Sequence, residues 1–520
     1  MLARVKISAR EWLGDMLDPG SFESWDRPPV AVDAAPGYRA ELAQAERSAG
    51  TDESVLTGSG LLRGRLVAVI ACEFGFLAGS IGVAAAERIT VAVERATELG
   101  LPLVVSPTSG GTRMQEGTVA FVQMVKIAGA VAAHRAAGHP YLVYLRNPTM
   151  GGVFASWGSL GHMTFAEPGA LIGFLGPRVY RALYGRDFPD GVQTAENLYR
   201  NGVIDGVVPV RVFRRIAHRA LNVLCGPAAA LPEHQGDARE FDTGIGVLRA
   251  GSELYGPALR GADDMPAWQS VLVSRRGDRP GVRELLRHAT DRVPLSGTGQ
   301  GEADRTVVHA LGSLRGQPCI LFGHDRAGQS ADQTMGPAAL REARRAMHLA
   351  AELRVPLVLV IDTIGASLSR EAEERGLAPE IARCLADLVT LDTPTVSVLL
   401  GQGSGGGALA LLPADRVLAA ANGWLAPLPP EGASAIVYRD TLHAPELAAA
   451  QGIRSKDLLA NGIVDAIIPE YPDAADEPVD FALRTVSAIA AALADLTTKP
   501  VPELQSLRRN RYRRLGLLTP

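Results

Sequence analysis

NPTMGGVFASW, residues 147–157, decides how this chain is read. A strand-like run, YLVYL, precedes it, Gly151 and Gly152 follow, and the small residues Val153, Ala155 and Ser156 then suggest the start of a helix. A glycine pair where a strand hands over to a helix bares backbone N–H groups, with no Cβ to hold a ligand away. Such donors suit an oxygen that gains negative charge during a reaction. The chain says nearly the same thing twice. A second strand-like run ends in GQGSGGGALA, residues 401–410, which places Gly406 and Gly407 in the same context.

The repeat can be counted. Gly110 and Gly151 stand 41 residues apart, as do Gly365 and Gly406. Both halves close alike, with NGVIDGVVP at 201–209 and NGIVDAIIP at 461–469. Each half runs strand, small-residue turn, helix, strand, glycine pair, so covered β-α-β crossovers are expected. Between them, LPEHQGDAREFDTG and GADDMPA lack periodicity, which sets the expected division: a first domain over 1–230, a linker over 231–265 and a second domain over 266–520. The opening SAREWLGDML predicts a short helix capped by Ser8, with Trp12, Leu13, Met16 and Leu17 on one face.

Composition narrows the possibilities. At 520 residues, 47% apolar and 21% charged, the chain has an ordinary globular balance and is too long for one core. A net charge of −4 gives no general reason to expect nucleic acid or an anionic membrane as partner. No signal-peptide pattern opens the sequence, and no apolar run reaches the roughly 18 residues of a membrane span, so the cytoplasm is the expected location. Cys72, Cys225, Cys319 and Cys384 are too scattered for a zinc ribbon or a disulfide framework and read as small core residues. No HxxxH or HExxH pair occurs, and no metal is expected. Gly401, Gly403 and Gly406 satisfy GxGxxG, but Pro413 cuts the next helix short and no acidic residue ends a second strand, which argues against a dinucleotide turn.

The longer motifs resemble the carboxyltransferase component of biotin-dependent acyl-CoA carboxylases, with β-like and α-like subunits fused. SGGTRMQEG (109–117), NPTMGGVFASW and AEPGALIGFLGPRV (166–179) resemble the β subunit. IDTIGAS (361–367), AEERGLAPEIARCL (372–385), GQGSGGGALA and PPEGASAIVY (429–438) resemble the α subunit. The resemblance implies an α/β protein of two tandem crotonase-like domains, of the ClpP/crotonase superfamily, built from repeated β-β-α units. It also implies an acyl-CoA site in the first half, a carboxybiotin site in the second, and an active site where the two domain types face each other, often across a dimer interface. Biotin would arrive on a separate carrier protein charged by a biotin carboxylase, and a homodimer or larger homo-oligomer is expected.

The chemistry of such a transfer calls for two anion sites: an enolate at the thioester and another at the ureido oxygen of biotin. Gly151 and Gly152 with Gly110 and Gly111 would serve the first as catalytic and substrate-binding donors. Gly406 and Gly407 would serve the second, with Gly365, Ala366, Gly403 and Ala408 holding biotin. Arg113, Lys126 and Arg178 are candidate partners of CoA, set against plain structural or surface roles. His324 reads as a structural histidine rather than a proton shuttle. The arginines of RRNRYRRLG (508–516) read either as a contact to CoA, a carrier or a subunit, or as a solvated terminus. Two departures fall on the biotin side: Ile364 and Ser367 stand where the family has Pro and Tyr, and Gln402 where it has an acid. A malonyl-thioester decarboxylase or transcarboxylase, and a non-catalytic scaffold, are the other readings that fit.

Overall fold

The computed structural model describes residues 7–225, 265–330 and 333–517. The expected linker lies outside the described residues but for Met265.

Two sheets repeat one topology. In the first, the antiparallel hairpin Val55–Leu62 and Arg65–Cys72 is followed by parallel Leu103–Ser106, Tyr141–Leu145, Met163–Ala166 and Gly206–Val207. In the second, the hairpin Val307–Leu314 and Gln317–His324 is followed by parallel Leu357–Thr363, Thr395–Ser404, Arg416–Ala420 and Ala466–Ile468. Both hairpins turn on Arg-Gly at positive φ, Arg63 and Gly64 (52° and 81°) and Arg315 and Gly316 (49° and 83°). Two successive positive angles match the right-handed twist of the flanking strands. Each half is thus built from a strand pair and its crossover helices, the tandem α/β repeat expected from the sequence.

The closing motifs have a structural explanation. Asn201 and Asn461 each end a helix, and the side-chain amide of each donates to the carbonyl four residues back, both at 2.9 Å. Asp205 then accepts from the Thr164 N–H at 2.6 Å, and Asp465 from the Val417 N–H at 2.7 Å. Each Asp thereby fixes the last strand against its neighbour. The opening helix Ala9–Met16 carries the expected Ser8 capping box and buries Trp12, Leu13 and Met16.

The halves pack through equivalent helices, Gly117–Ala136 and Leu377–Thr390. A Cβ on Gly129 would stand 2.9 Å from Val389, so glycine is what lets the helices approach. Polar contacts cross the same seam: Thr118 Oγ1 donates to Leu425 O at 2.9 Å, Gln123 Nε2 to Leu515 O at 2.9 Å, and Arg513 meets Glu87 at 2.6 and 2.7 Å.

Three expectations need correction. Residues 151–156 form successive turns rather than a helix, because Ser156 has φ −143° and ψ −114° and the chain tightens into a 3₁₀ turn at Trp157–Ser159. In the second half a five-residue helix, Gly405–Leu409, does stand at that place. Cys225 is exposed, whereas the other three cysteines are buried as expected. Finally, one helical stretch, Met114–Ala136, is by length and composition apolar enough to cross a membrane, yet 78% of its most apolar window is buried inside the protein. Gln123 and Lys126 interrupt that run in the sequence.

Candidate active site

A cavity of about 920 Å³ lies in the seam, within one chain. Gly110, Gly111, Gly151 and Gly152 line it from the first half, and Gly365, Ala366, Gly405 and Gly406 from the second. Phe174 ties the two sides together: a Cβ on Gly406 would meet its ring at 2.9 Å and Ile381 at 2.9 Å.

The donors on the two sides differ in detail from the expectation. Gly151, at φ +65°, spends its N–H on Gly173 O at 3.2 Å, while its carbonyl accepts from the Ala155 N–H at 3.0 Å. Among the described residues no acceptor meets the Gly152 N–H, so the bare amide of the pair is Gly152. Gly110 donates to Ala78 O at 2.9 Å and Gly111 to Ser109 Oγ at 2.9 Å. The second half repeats the latter turn, with Gly365 N–H on Thr363 Oγ1 at 3.1 Å. These turns shape the walls and keep them free of side chains, while their own amides are committed.

On the second side, Gly405–Leu409 begins without a side-chain cap, so its first-turn amides have no intrahelical acceptor. Gly405 and Gly406 line the cavity and Gly407 does not; a Cβ there would lie 2.6 Å from Met335 Sδ. The glycine pair facing the cavity is therefore shifted back by one residue from the expected one. Gly403 is also out of the cavity. It pairs in the sheet with Thr363 and Leu425, and a Cβ would run into Trp424 O. Ala408 is fully buried in the helix behind the wall.

The basic candidates fall elsewhere. Arg113 is buried beneath the cavity, its guanidinium on Glu53 at 2.9 and 2.6 Å and on Ser80 O at 2.7 Å, so it is a structural tie. Lys126 is buried against Glu87 at 2.5 Å in a separate cleft of about 440 Å³, and burial lowers its pKa. The side chain of Arg178 lies outside the described residues. His324 is buried, with Nε2 3.1 Å from Met335 Sδ, and burial lowers its pKa to about 4, which keeps it neutral. Within RRNRYRRLG, Arg508 pairs with Asp415, Arg511 with Asp465 and Arg513 with Glu87 and Glu94. These three anchor the terminal helix.

One residue beside the cavity escaped sequence reasoning. Glu373 is buried in the seam, and its Oε1 accepts from the Phe174 N–H at 2.8 Å and from Gln193 Nε2 at 2.7 Å. Burial raises its pKa to about 7 against the opposing pull of Gln193 and the Phe174 and Leu175 backbone. Only the doubled acid of AEERG hinted at it.

Residues 6–507 match the family described as the carboxyl transferase domain. The chain belongs to the carboxyl transferase family. This carboxyltransferase is 64% identical over 503 residues to the probable biotin-dependent acyl-coenzyme A carboxylase beta3 subunit of Mycobacterium bovis, covering 96% of this chain and 97% of that one. It is 38% identical over 528 residues to the acetyl-coenzyme A carboxylase carboxyl transferase subunits beta/alpha of Salinispora arenicola, covering 99% of this chain and 91% of that one. Among solved structures it aligns with a transcarboxylase 12S at 22% identity and a TM-score of 0.37, covering 95% of this chain and 90% of that one. It also aligns with the geranyl-CoA carboxylase beta subunit of P. aeruginosa at 18% identity and a TM-score of 0.35, covering 96% and 89%. The family read from the motifs, and carboxyl transfer as the activity, are thus established.

Proposed function

We propose that this carboxyltransferase moves the carboxyl group of carboxybiotin, borne on a carrier protein, to the α-carbon of acetyl-CoA or a short homologue, giving malonyl-CoA or its homologue. The observation that carries the reading is the meeting of two glycine-lined turns, one from each half, across a single chamber. The Gly152 N–H would take the thioester oxygen and the Gly405 and Gly406 turn the ureido oxygen, each where negative charge develops. Carboxybiotin supplies the activated carboxyl group. Phe121, Met124, Phe174, Ile381 and Leu409 line the chamber and keep water from both anions, which strengthens every donor inside it. The only carboxyl group on the described lining is that of Glu41, which is exposed and holds Gln115 at 2.8 Å. A reaction in which biotin itself takes the α-proton fits such a lining.

The rest of the assignment extends this reading. A biotin carboxyl carrier protein and a biotin carboxylase act as partners, homodimers or larger homo-oligomers form, and the setting is cytoplasmic fatty acid biosynthesis. The domains run over 1–230 and 266–520. Carrier carrying ¹⁴C-carboxybiotin, mixed with the purified chain and acetyl-CoA or propionyl-CoA, tests the function. Label is expected in the acyl-CoA, and its absence with both substrates overturns the reading.

A further inference from the structure

The buried carboxyl group of Glu373 belongs to the second half, yet its hydrogen bonds lead into the first half's bare amide. Its Oε1 accepts from the Phe174 N–H at 2.8 Å, and the other end of that peptide unit, Gly173 O, accepts from the Gly151 N–H at 3.2 Å. The peptide unit that follows Gly151 carries the Gly152 N–H, and its carbonyl is held by the Ala155 N–H at 3.0 Å. Gln193 braces the same segment, its Nε2 reaching both Glu373 at 2.7 Å and Leu175 O at 2.7 Å. A Cβ on Gly173 would stand 2.6 Å from Gln193 Nε2, so the brace lies directly against the backbone that it steadies.

We infer that Glu373 is a positioning residue, contributed by the biotin-side half, that sets the direction of the Gly152 N–H through the peptide unit joining Gly173 to Phe174. The inference rests on Gly152 being the thioester's donor. The seam thereby gains a chemical role, because the acyl-CoA side is aligned only when the second half is docked against it. Glu374, the neighbouring acid, serves as the internal contrast. It crosses the same seam to Asn197 Nδ2 at 2.9 Å, on a helix with no hydrogen bond to the Gly173–Phe174 peptide among the described residues.

The test compares full-length Glu373→Met, Glu373→Gln and Glu374→Met in carboxyl transfer and in amide hydrogen exchange over 149–156. Glu373→Met removes the acceptor at similar volume. Its kcat is expected to fall about tenfold to a hundredfold, the range for a misaimed catalytic group, with the KM for acyl-CoA within about twofold. Glu373→Gln keeps one acceptor oxygen and should recover most of kcat, and Glu374→Met should keep wild-type kcat. Gly151 should lose exchange protection in Glu373→Met alone. Equal losses in the two Met variants, a rise in KM with kcat unchanged, or unaltered Gly151 protection would overturn the inference. If Glu373→Met does not fold, Gln193→Met removes the brace alone; it should lower kcat several-fold and loosen Gly151, and no change in either overturns the inference. A wild type that transfers no carboxyl group would defeat the proposed function, while the exchange measurement still decides the contact relay.

Discussion

Two residues in the seam carry predictions of opposite kinds. A side chain on Gly152 would meet Thr112 Oγ1 at 3.1 Å and Met124 Cγ at 3.3 Å, atoms at the cavity edge that can give. Gly152→Val should therefore fold, with its thermal midpoint within a few degrees of wild type, yet lose at least a hundredfold in kcat, because its side chain would fill the site beside the retained N–H and keep the thioester oxygen from a donor whose contact is typically worth about 2.7 to 4 kcal/mol. Glu373 acts through protonation instead. Burial raises its pKa from 4.5 to about 7, so its protonated form is the one the fold favours. That stability is fully present below pH 4.5 and is lost as pH rises through about 7, by about 3 kcal/mol in all. No charged side chain is among the causes of the shift, and the neighbouring acid, Glu374, is paired with Arg370. Thermal melts from pH 5 to 8 should fall more steeply for wild type than for Glu373→Gln; parallel curves would refute the shift. Sequence alone placed the glycine turns but could not tell Gly151 from Gly152, because the partner of the Gly151 N–H, Gly173 O, comes from a strand that no local pattern pairs with it.

At the scale of elements, helix contact and helix anchoring can be separated. The helix pair across the seam depends on Gly129, and Gly129→Val should force Val389 aside and loosen docking by about 1 to 3 kcal/mol, the usual cost of overpacking. Differential hydrogen exchange in Leu377–Thr390 would reveal the loosening, and unchanged protection would count against it. The terminal helix Val501–Arg514 is held by Arg508 on Asp415, both side chains at 3% exposure or less. Removing one partner of such a buried pair leaves a lone charge, so Arg508→Met should cost about 3 to 5 kcal/mol, read as a lowered urea midpoint. Arg509→Met, on an exposed side chain, should leave that midpoint unchanged. The arginine cluster was visible in sequence but its purpose was not, since the acids that receive it lie from 46 residues away for Asp465 to 426 for Glu87.

For the molecule as a whole, duplication made the architecture legible. Matching 41-residue spacings and twin Asn-Gly-hydrophobic-Asp endings gave two halves of one design, and the twin sheets and twin Asp ties carry that design out. The candidate site was legible where local turn chemistry exposes glycine and illegible where long-range packing decides what faces the chamber. Hence Gly403, Gly407 and Ala408 fall behind the wall, Arg113 and Lys126 are taken up by the acids Glu53 and Glu87, and Glu373 goes unforeseen. If the two sides of the chamber divide the chemistry, their loss should divide it too. The most direct measurement follows both carboxyl transfer to acyl-CoA and loss of CO2 from the carboxylated carrier, in Gly152→Val and Gly406→Val side by side. Gly152→Val should lose transfer and keep CO2 release, and Gly406→Val should lose both. Retained transfer in Gly152→Val, or CO2 release that survives in Gly406→Val and fails in Gly152→Val, would contradict the division of the chamber.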